Sequence, residues 1–297
     1  MSKRHISLFL PCILLSTLFM ASSFPSGKYL IRQVAVPPFL LGGCRFVLAG
    51  VVLLLFCLCR EGIGGALPFI KGSVRKGLRG TILMGVLQTA GAMGLLNLSF
   101  KTLSASISSV IFFTNPLWVA LLAHMLSGER LNVRRLCALG VGITGVVICM
   151  GPRGQLDMLG ALYALGGAIC WSLCTLVTRK LAFDSSMVAV AAWQMLWGGI
   201  VLMLMVPIIG ERLDGIQWSS WAVIWSLWLV GPASIGSFTL WFVALQASSA
   251  TQTSSFLFLV PLFSTVLSVM LLNDALPLSL LAGCVLILLA LWAINKC

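Results

Sequence analysis

Acidic residues are the scarcest chemistry in this chain. Its 297 residues include 7 Asp+Glu and 2 His. The acids are Glu61, Glu129, Asp157, Asp184, Glu211, Asp214 and Asp274, and each stands in a loop or at the edge of an apolar run. No carboxylate pair or His cluster lies inside an apolar run, where it would supply a general acid and base or a set of metal ligands. A polytopic membrane enzyme is therefore disfavoured, as is a proton relay through Asp, Glu or His. No catalytic residue is assigned, and no metal or cofactor is expected. The chain also lacks a G-x-x-x-x-G-K-[ST] loop, so ATP is not its direct drive.

Charge of either sign is sparse. Only 9% of residues are charged and 60% are hydrophobic, with a mean hydropathy of +1.08, whereas soluble domains carry about 25% charge. A water-facing surface cannot be built from this composition, and the lipid bilayer is the expected partner. Runs such as "VLAGVVLLLFCLC" do not alternate, which excludes a membrane β-barrel. Ten apolar runs have the length of a membrane-crossing helix: 6–24, 36–58, 78–100, 103–127, 133–150, 158–178, 188–208, 219–245, 248–272 and 277–295. The expected fold is an all-α membrane protein of ten transmembrane helices. The first run, behind "MSKRH", has the outline of a secretory signal. Its match to run six favours a retained span.

The cations orient the chain. If the N-terminus is cytoplasmic and every run crosses, the inner segments hold Lys3, Arg4, Arg60, Lys71, Arg75, Lys76, Arg79, Arg130, Arg134, Arg135, Arg179, Lys180 and Lys296. The outer ones hold Lys28, Arg32, Lys101, Arg153 and Arg212. The bias follows the positive-inside rule and puts both termini in the cytoplasm, with the protein in the inner (plasma) membrane. It also accounts for the net charge of +12 without nucleic acid, because the basic residues form loop clusters rather than one face.

The chain repeats itself. "SASISSVIFFTNPLWVALLAHMLSGERL" from Ser104 and "SATQTSSFLFLVPLFSTVLSVMLLNDAL" from Ser249 align at an offset of 145. The register extends back to Gly91 and Gly236. An offset of 152 pairs "FMASSFPSGKYL" with "WSLCTLVTRKLA", matching Lys28 to Lys180. Residues 1–150 and 151–297 thus read as two five-helix repeats. Five is odd, so the second enters the membrane inverted, a common transporter design that provides two related conformations.

The stretch "SASISSVIFFTNPLWVALLAHMLSGERLNVRRLCALGVGITGVVI" resembles the fourth and fifth helices of an EamA-type domain of the drug/metabolite transporter superfamily. "SSFPSGKYL" and "PPFLLGGCRFVLAG" resemble its first and second helices, with the Lys after helix one and the Arg-Phe in helix two. The second half departs from the pattern: Asn-Asp replaces Gly-Glu, and Trp197 stands where the first half has Arg45. The resemblance implies two EamA domains forming a ten-helix exporter or carrier of small metabolites. It does not specify the substrate.

Arg45 lies about nine residues into the second run, near the membrane midplane, where a cation requires a partner or a wet cavity. It is either an anchor for an anionic group or a structural Arg on carbonyls at a broken helix. Gln88, Asn97, Asn115, Gln194 and Gln252 supply donors and acceptors for a polar substrate, or interhelical bonds. Trp171 suits an apolar substrate part, or core packing. Pro116, Pro232 and Pro261 each free a carbonyl and mark helix breaks suited to gating. Trp218, Trp221, Trp225 and Trp228 share one helical face, with the last two deep enough to pack internally. "LGVGITG" in the fifth run is a packing surface or a homodimer seam. Ten cysteines show no framework spacing and read as small apolar residues. Together these features point to a carrier of small carboxylate metabolites such as amino acids that works by alternating access, and the resemblance implies that its direction is export. The rivals are multidrug efflux of cationic amphiphiles and, from other classes, a membrane enzyme or a sensor without flux.

Overall fold

A computed structural model describes residues 3–127, 133–150, 157–248, 253–254, 256–272 and 278–296. In chain order the helices are α1 (Lys3–Arg32), α2 (Pro38–Ala66), α3 (Val74–Ser99), α4 (Ala105–Leu126), α5 (Val133–Met150), α6 (Met158–Leu181), α7 (Met187–Ile209), α8 (Ser220–Ala247), α9 (Leu259–Leu272) and α10 (Leu278–Lys296). Among the described residues, seven helices are long and apolar enough to cross a membrane: α1 from Phe9, α2, α3, α4, α6, α7 and α8. Leu136–Gly145 and Leu259–Leu271 are shorter apolar stretches.

Short polar residues start the helices. The side chains of Ser73, Ser104, Asp157, Ser186 and Ser219 each accept a backbone N–H of the following turn, satisfying donors that the helix leaves open. Pro37 and Pro38 begin α2, where a missing N–H costs nothing.

α1 continues eight residues beyond its expected end. The polar "SSFPS" looks like a boundary, but the hydroxyls of Ser22, Ser23 and Ser26 donate back to the carbonyls of Phe19, Met20 and Ser22. With those groups satisfied internally, the helix carries Pro25 and runs on to Arg32.

The regular ladder loosens at matching places in the two halves. Gly85–Met93 of α3 and Gly231–Gly236 of α8 are π-helical, and Pro232 is the second residue of the latter stretch. α4 is interrupted at Phe113 and Thr114, just before Asn115 and Pro116. A 3₁₀ turn over Phe256–Phe258 precedes α9, whose third residue is Pro261.

Two polar ends are separated by the apolar bundle. At one end, Gln217 N–H donates to the Val34 carbonyl at 3.0 Å, and both Glu211 oxygens accept from the start of α2. At the other, Asp184 N–H reaches the Phe69 carbonyl at 2.9 Å, Gly72 N–H reaches Asp184 Oδ2 at 3.1 Å, and Lys180 Nζ reaches the Leu126 carbonyl at 3.3 Å. Among the described residues, the connections α1–α2 and α7–α8 thus lie at one end and α2–α3 and α6–α7 at the other.

Packing crosses between the halves. α2 lies along α7, and α5 along α10. α1 packs on α8 and α9, while α6 packs on α3 and α4. In lipid, close approach of small residues drives such contacts. At the α3–α7 crossing, a Cβ on Gly85 would stand 2.7 Å from the Gln194 carbonyl oxygen and 2.8 Å from the Gly198 nitrogen.

Candidate functional site

The centre of the bundle is aromatic. Trp171 of α6 meets Phe112 and Phe113 of α4 with ring centroids 5.4 and 6.0 Å apart, stacks on Phe238 of α8 at 6.1 Å, and stands edge-on to Trp241 at 6.0 Å. Phe24 of α1 closes the cluster against Phe113 at 5.5 Å and Phe100 at 5.8 Å. Offset and edge-on pairs of this kind add attraction beyond area burial. The break in α4 positions Phe112 and Phe113, and the π-helical stretch of α8 ends beside Phe238.

Arg45 reaches this cluster from α2. It is 7% exposed. Its Nη2 donates to the Ala233 carbonyl at 2.9 Å, and its Nε donates to Ser234 Oγ. Ser234 Oγ in turn donates to the Leu229 carbonyl at 2.6 Å, and Ser237 Oγ to the Ala233 carbonyl at 2.7 Å. The wide turn of α8 therefore presents a carbonyl and a hydroxyl to a buried guanidinium. Two charge-assisted bonds of this type offset part of the cost of burying the cation.

Arg45, Trp171, Phe24, Phe113 and Phe238 border one central void of about 10 Å³, room for about one water molecule. Arg45 also borders an apolar cavity of about 170 Å³ between α2 and α8.

The amides singled out in the sequence are dispersed around this centre. Asn97 Nδ2 donates to the Pro38 carbonyl at 3.0 Å, tying α3 to α2. Gln88 Oε1 accepts from Cys174 Sγ at 3.2 Å, and Gln194 Nε2 donates to Thr89 Oγ1. Asn115 is fully buried, and among the described residues neither atom of its side-chain amide has a partner. Gln88 Nε2, Gln194 Oε1 and Trp171 Nε1 are likewise unpartnered. Gln252 lies outside the described residues. Of the residues picked out in advance, only Arg45 and Trp171 line the central void. Pro116, Pro232 and Pro261 all stand at helix irregularities. The Phe residues of the cluster carried no advance signal, because an intramembrane Phe faces lipid as readily as a core. The four tryptophans do not share one helical face: Trp218 precedes α8, and Trp218, Trp221 and Trp228 are exposed, although Trp228 Nε1 donates to Ser22 Oγ at 2.8 Å. Of the two expected to pack internally, only Trp225 is half-buried, against Tyr29 at 6.4 Å.

Known proteins share this plan. The EamA-like transporter family matches the chain twice, over residues 8–151 and 158–296. The uncharacterized transporter YvbV of Bacillus subtilis is 28% identical over 263 residues, covering 87% of this chain and 83% of its own. The uncharacterized transporter YoaV of the same organism is 26% identical over 258 residues, 85% of each chain. The uncharacterized inner membrane transporter YedA of Escherichia coli K12 is 25% identical over 248 residues, 81% of this chain and 77% of its own. A solved crystal structure superposes with a TM-score of 0.70 at 22% identity, covering 96% of this chain and 98% of that one, which shows a shared fold. With the family model matching nearly its whole length in two copies, this chain of apolar helices belongs to the EamA-like transporter family and is a multi-pass membrane transporter.

Proposed function

We propose that the protein exports a small metabolite bearing a carboxylate and an apolar portion, such as an amino acid, by alternating access between two inverted five-helix halves, residues 1–150 and 151–297. The observation that carries this reading is the central void where the Arg45 guanidinium meets the wall of Phe24, Phe113, Trp171 and Phe238. A carboxylate entering there would compete with the Ala233 carbonyl for Arg45, and rings would hold the apolar part. Asn115 and Trp171 retain unused polar atoms for an amino or hydroxyl group. The exchange of packing partners between the halves supports two alternative arrangements of similar energy, which differential ligand affinity can bias. In this reading both termini are cytoplasmic in an inner membrane, and Gln252, placed early in the ninth span, is a further substrate contact.

Outward direction rests on resemblance to exporters of the superfamily, since symmetry permits either. The aromatic wall alone would also suit a cationic amphiphile, but a guanidinium in the same void repels a cation. The test is efflux from proteoliposomes loaded with an amino acid series, with cationic dyes as controls. Protein-dependent amino acid efflux is expected. Efflux of the dyes alone would overturn the carboxylate reading, and uptake without efflux would overturn the direction.

A further inference from the structure

A second cavity, of about 470 Å³, opens at the polar end where α1 and α3 finish and α2 begins. It is bordered by Arg32, Lys101, Arg212 and Glu211, with Ile31, Val36 and Ile209 among its apolar residues. Few cations lie on the side of the membrane that the charge bias assigns as outer, because cations there oppose the preferred topology. Three of those few converge on this one concavity. The acid among them is already engaged: Glu211 Oε1 accepts from Phe39 N–H at 3.0 Å and Oε2 from Leu40 N–H at 3.1 Å. Glu211 serves as a cap for α2 delivered from the loop after α7.

The rim is shaped in advance. Arg32 Nε donates to the Phe100 carbonyl at 3.2 Å, which fixes the guanidinium and leaves its Nη end for another partner. Ala35, on the same rim, has a φ of 63°, a backbone conformation that a non-glycine residue keeps only when its surroundings impose it. Two such impositions are visible beside it, Val36 N–H on the Leu30 carbonyl at 2.9 Å and Gln217 N–H on the Val34 carbonyl at 3.0 Å. A rigid concavity with converging cations and an apolar floor suits a small organic anion, in which carboxylate oxygens take the cations and a short carbon chain takes the floor.

We infer that this vestibule is a binding site for small carboxylate solutes, separate from the central void. Its assignment to the outer side rests on the proposed topology, but binding itself does not depend on that assignment. An anionic lipid headgroup offers the same oxygen chemistry, so the test separates the two sources. The full-length protein is placed in phosphatidylcholine nanodiscs, and thermal unfolding is followed by tryptophan fluorescence against succinate concentration. A saturable rise in Tm is expected. Lys101→Gln should weaken the apparent affinity by about threefold, and the triple variant R32Q/K101Q/R212Q by at least about tenfold. All of these variants keep Arg45, so a loss of affinity in them belongs to this site and not to the central one. Equal saturation in wild type and in both Gln variants would overturn the proposal, as would the same rise with sodium chloride at matched ionic strength. Should the triple variant not fold, Lys101→Gln decides alone. Discs containing phosphatidylglycerol should still bind succinate. Loss of succinate binding there would assign the cavity to lipid headgroups and reject the solute.

Discussion

Arg45 and Ala233 are joined across the bundle by a single bond, from the guanidinium Nη2 of α2 to a carbonyl in the wide turn of α8 at 2.9 Å. The bond crosses from α2 to α8 and sits beside the central aromatic cluster.

Removing the guanidinium should therefore affect function more than insertion. Arg45→Ala is expected to lower the initial flux in proteoliposomes by at least about tenfold, as two charge-assisted bonds are lost. Arg45→Lys should recover part of that flux, because an ammonium cannot reach both Ala233 and Ser234 with the geometry of a planar fork. Normal flux in the alanine variant would make Arg45 a bystander.

Trp171 separates packing from polar chemistry. Trp171→Ala empties the centre of the cluster and should destabilise the protein by about 3–5 kcal/mol. Trp171→Phe keeps a six-membered ring against Phe112 and Phe238 and removes the five-membered ring with its N–H, which has no partner among the described residues. If that N–H serves the substrate, the phenylalanine variant should melt within a few degrees of wild type while losing flux. Unchanged flux would confine Trp171 to packing.

The α3–α7 crossing should tolerate no side chain. Gly85→Ala places a methyl group against the backbone of Gln194 and Gly198, and a marked fall in Tm in detergent is expected, equivalent to about 1–3 kcal/mol of overpacking. Gly140 has nothing within 4 Å of its Cβ position, so Gly140→Ala should change Tm little. Equal behaviour of the two variants would contradict the crossing.

The ends of the bundle predict topology. Reporter fusions after Gly72 and after Gly215 should report opposite sides, with Gly72 cytoplasmic. Both on one side would exclude the alternating path of the chain.

Acid should loosen the start of α6. The Thr102 hydroxyl, and then the Gly160 N–H, hold the Asp157 carboxyl below its ordinary value of 3.8. A carboxyl lowered in the folded state contributes stability above its unfolded value, and that contribution is lost as pH falls through the folded one. Protection of the Gly160 amide, relative to its intrinsic exchange at each pH, should thus fall below about pH 4 in wild type and be low already at neutral pH in Asp157→Ala. Identical exchange in both proteins would remove the cap.

Much of the helical layout was legible because apolar length is a strong signal. The run expected over 188–208 corresponds to Met187–Ile209, and Pro116, Pro232 and Pro261, read as helix breaks from their residue type, stand at helix irregularities. Boundaries failed where side chains satisfied the backbone from within, as the serines of α1 do. The amides were harder. Gln88 and Asn97 share α3, but the π-helical stretch between them shifts the angular register, and they serve different neighbours, Cys174 and Pro38. No fixed helical period predicts that separation. The aromatic centre was hidden for a different reason: phenylalanine is apolar enough for lipid and core alike, and only tertiary packing distinguishes them.

In a working carrier the aromatic centre would also act as electrical insulation. A file of water through a carrier would conduct protons and discharge the potential that energises the membrane, which is worth about 2.3 kcal/mol per elementary charge per 100 mV. The five aromatic side chains that border the void, Phe112 among them, leave about 10 Å³ there, too little for a continuous chain of waters. The guanidinium beside them adds a positive barrier of the kind that keeps protons out of water-selective pores. On the proposed reading, the side chains that meet a cargo would in this closed arrangement also keep the membrane from short-circuiting.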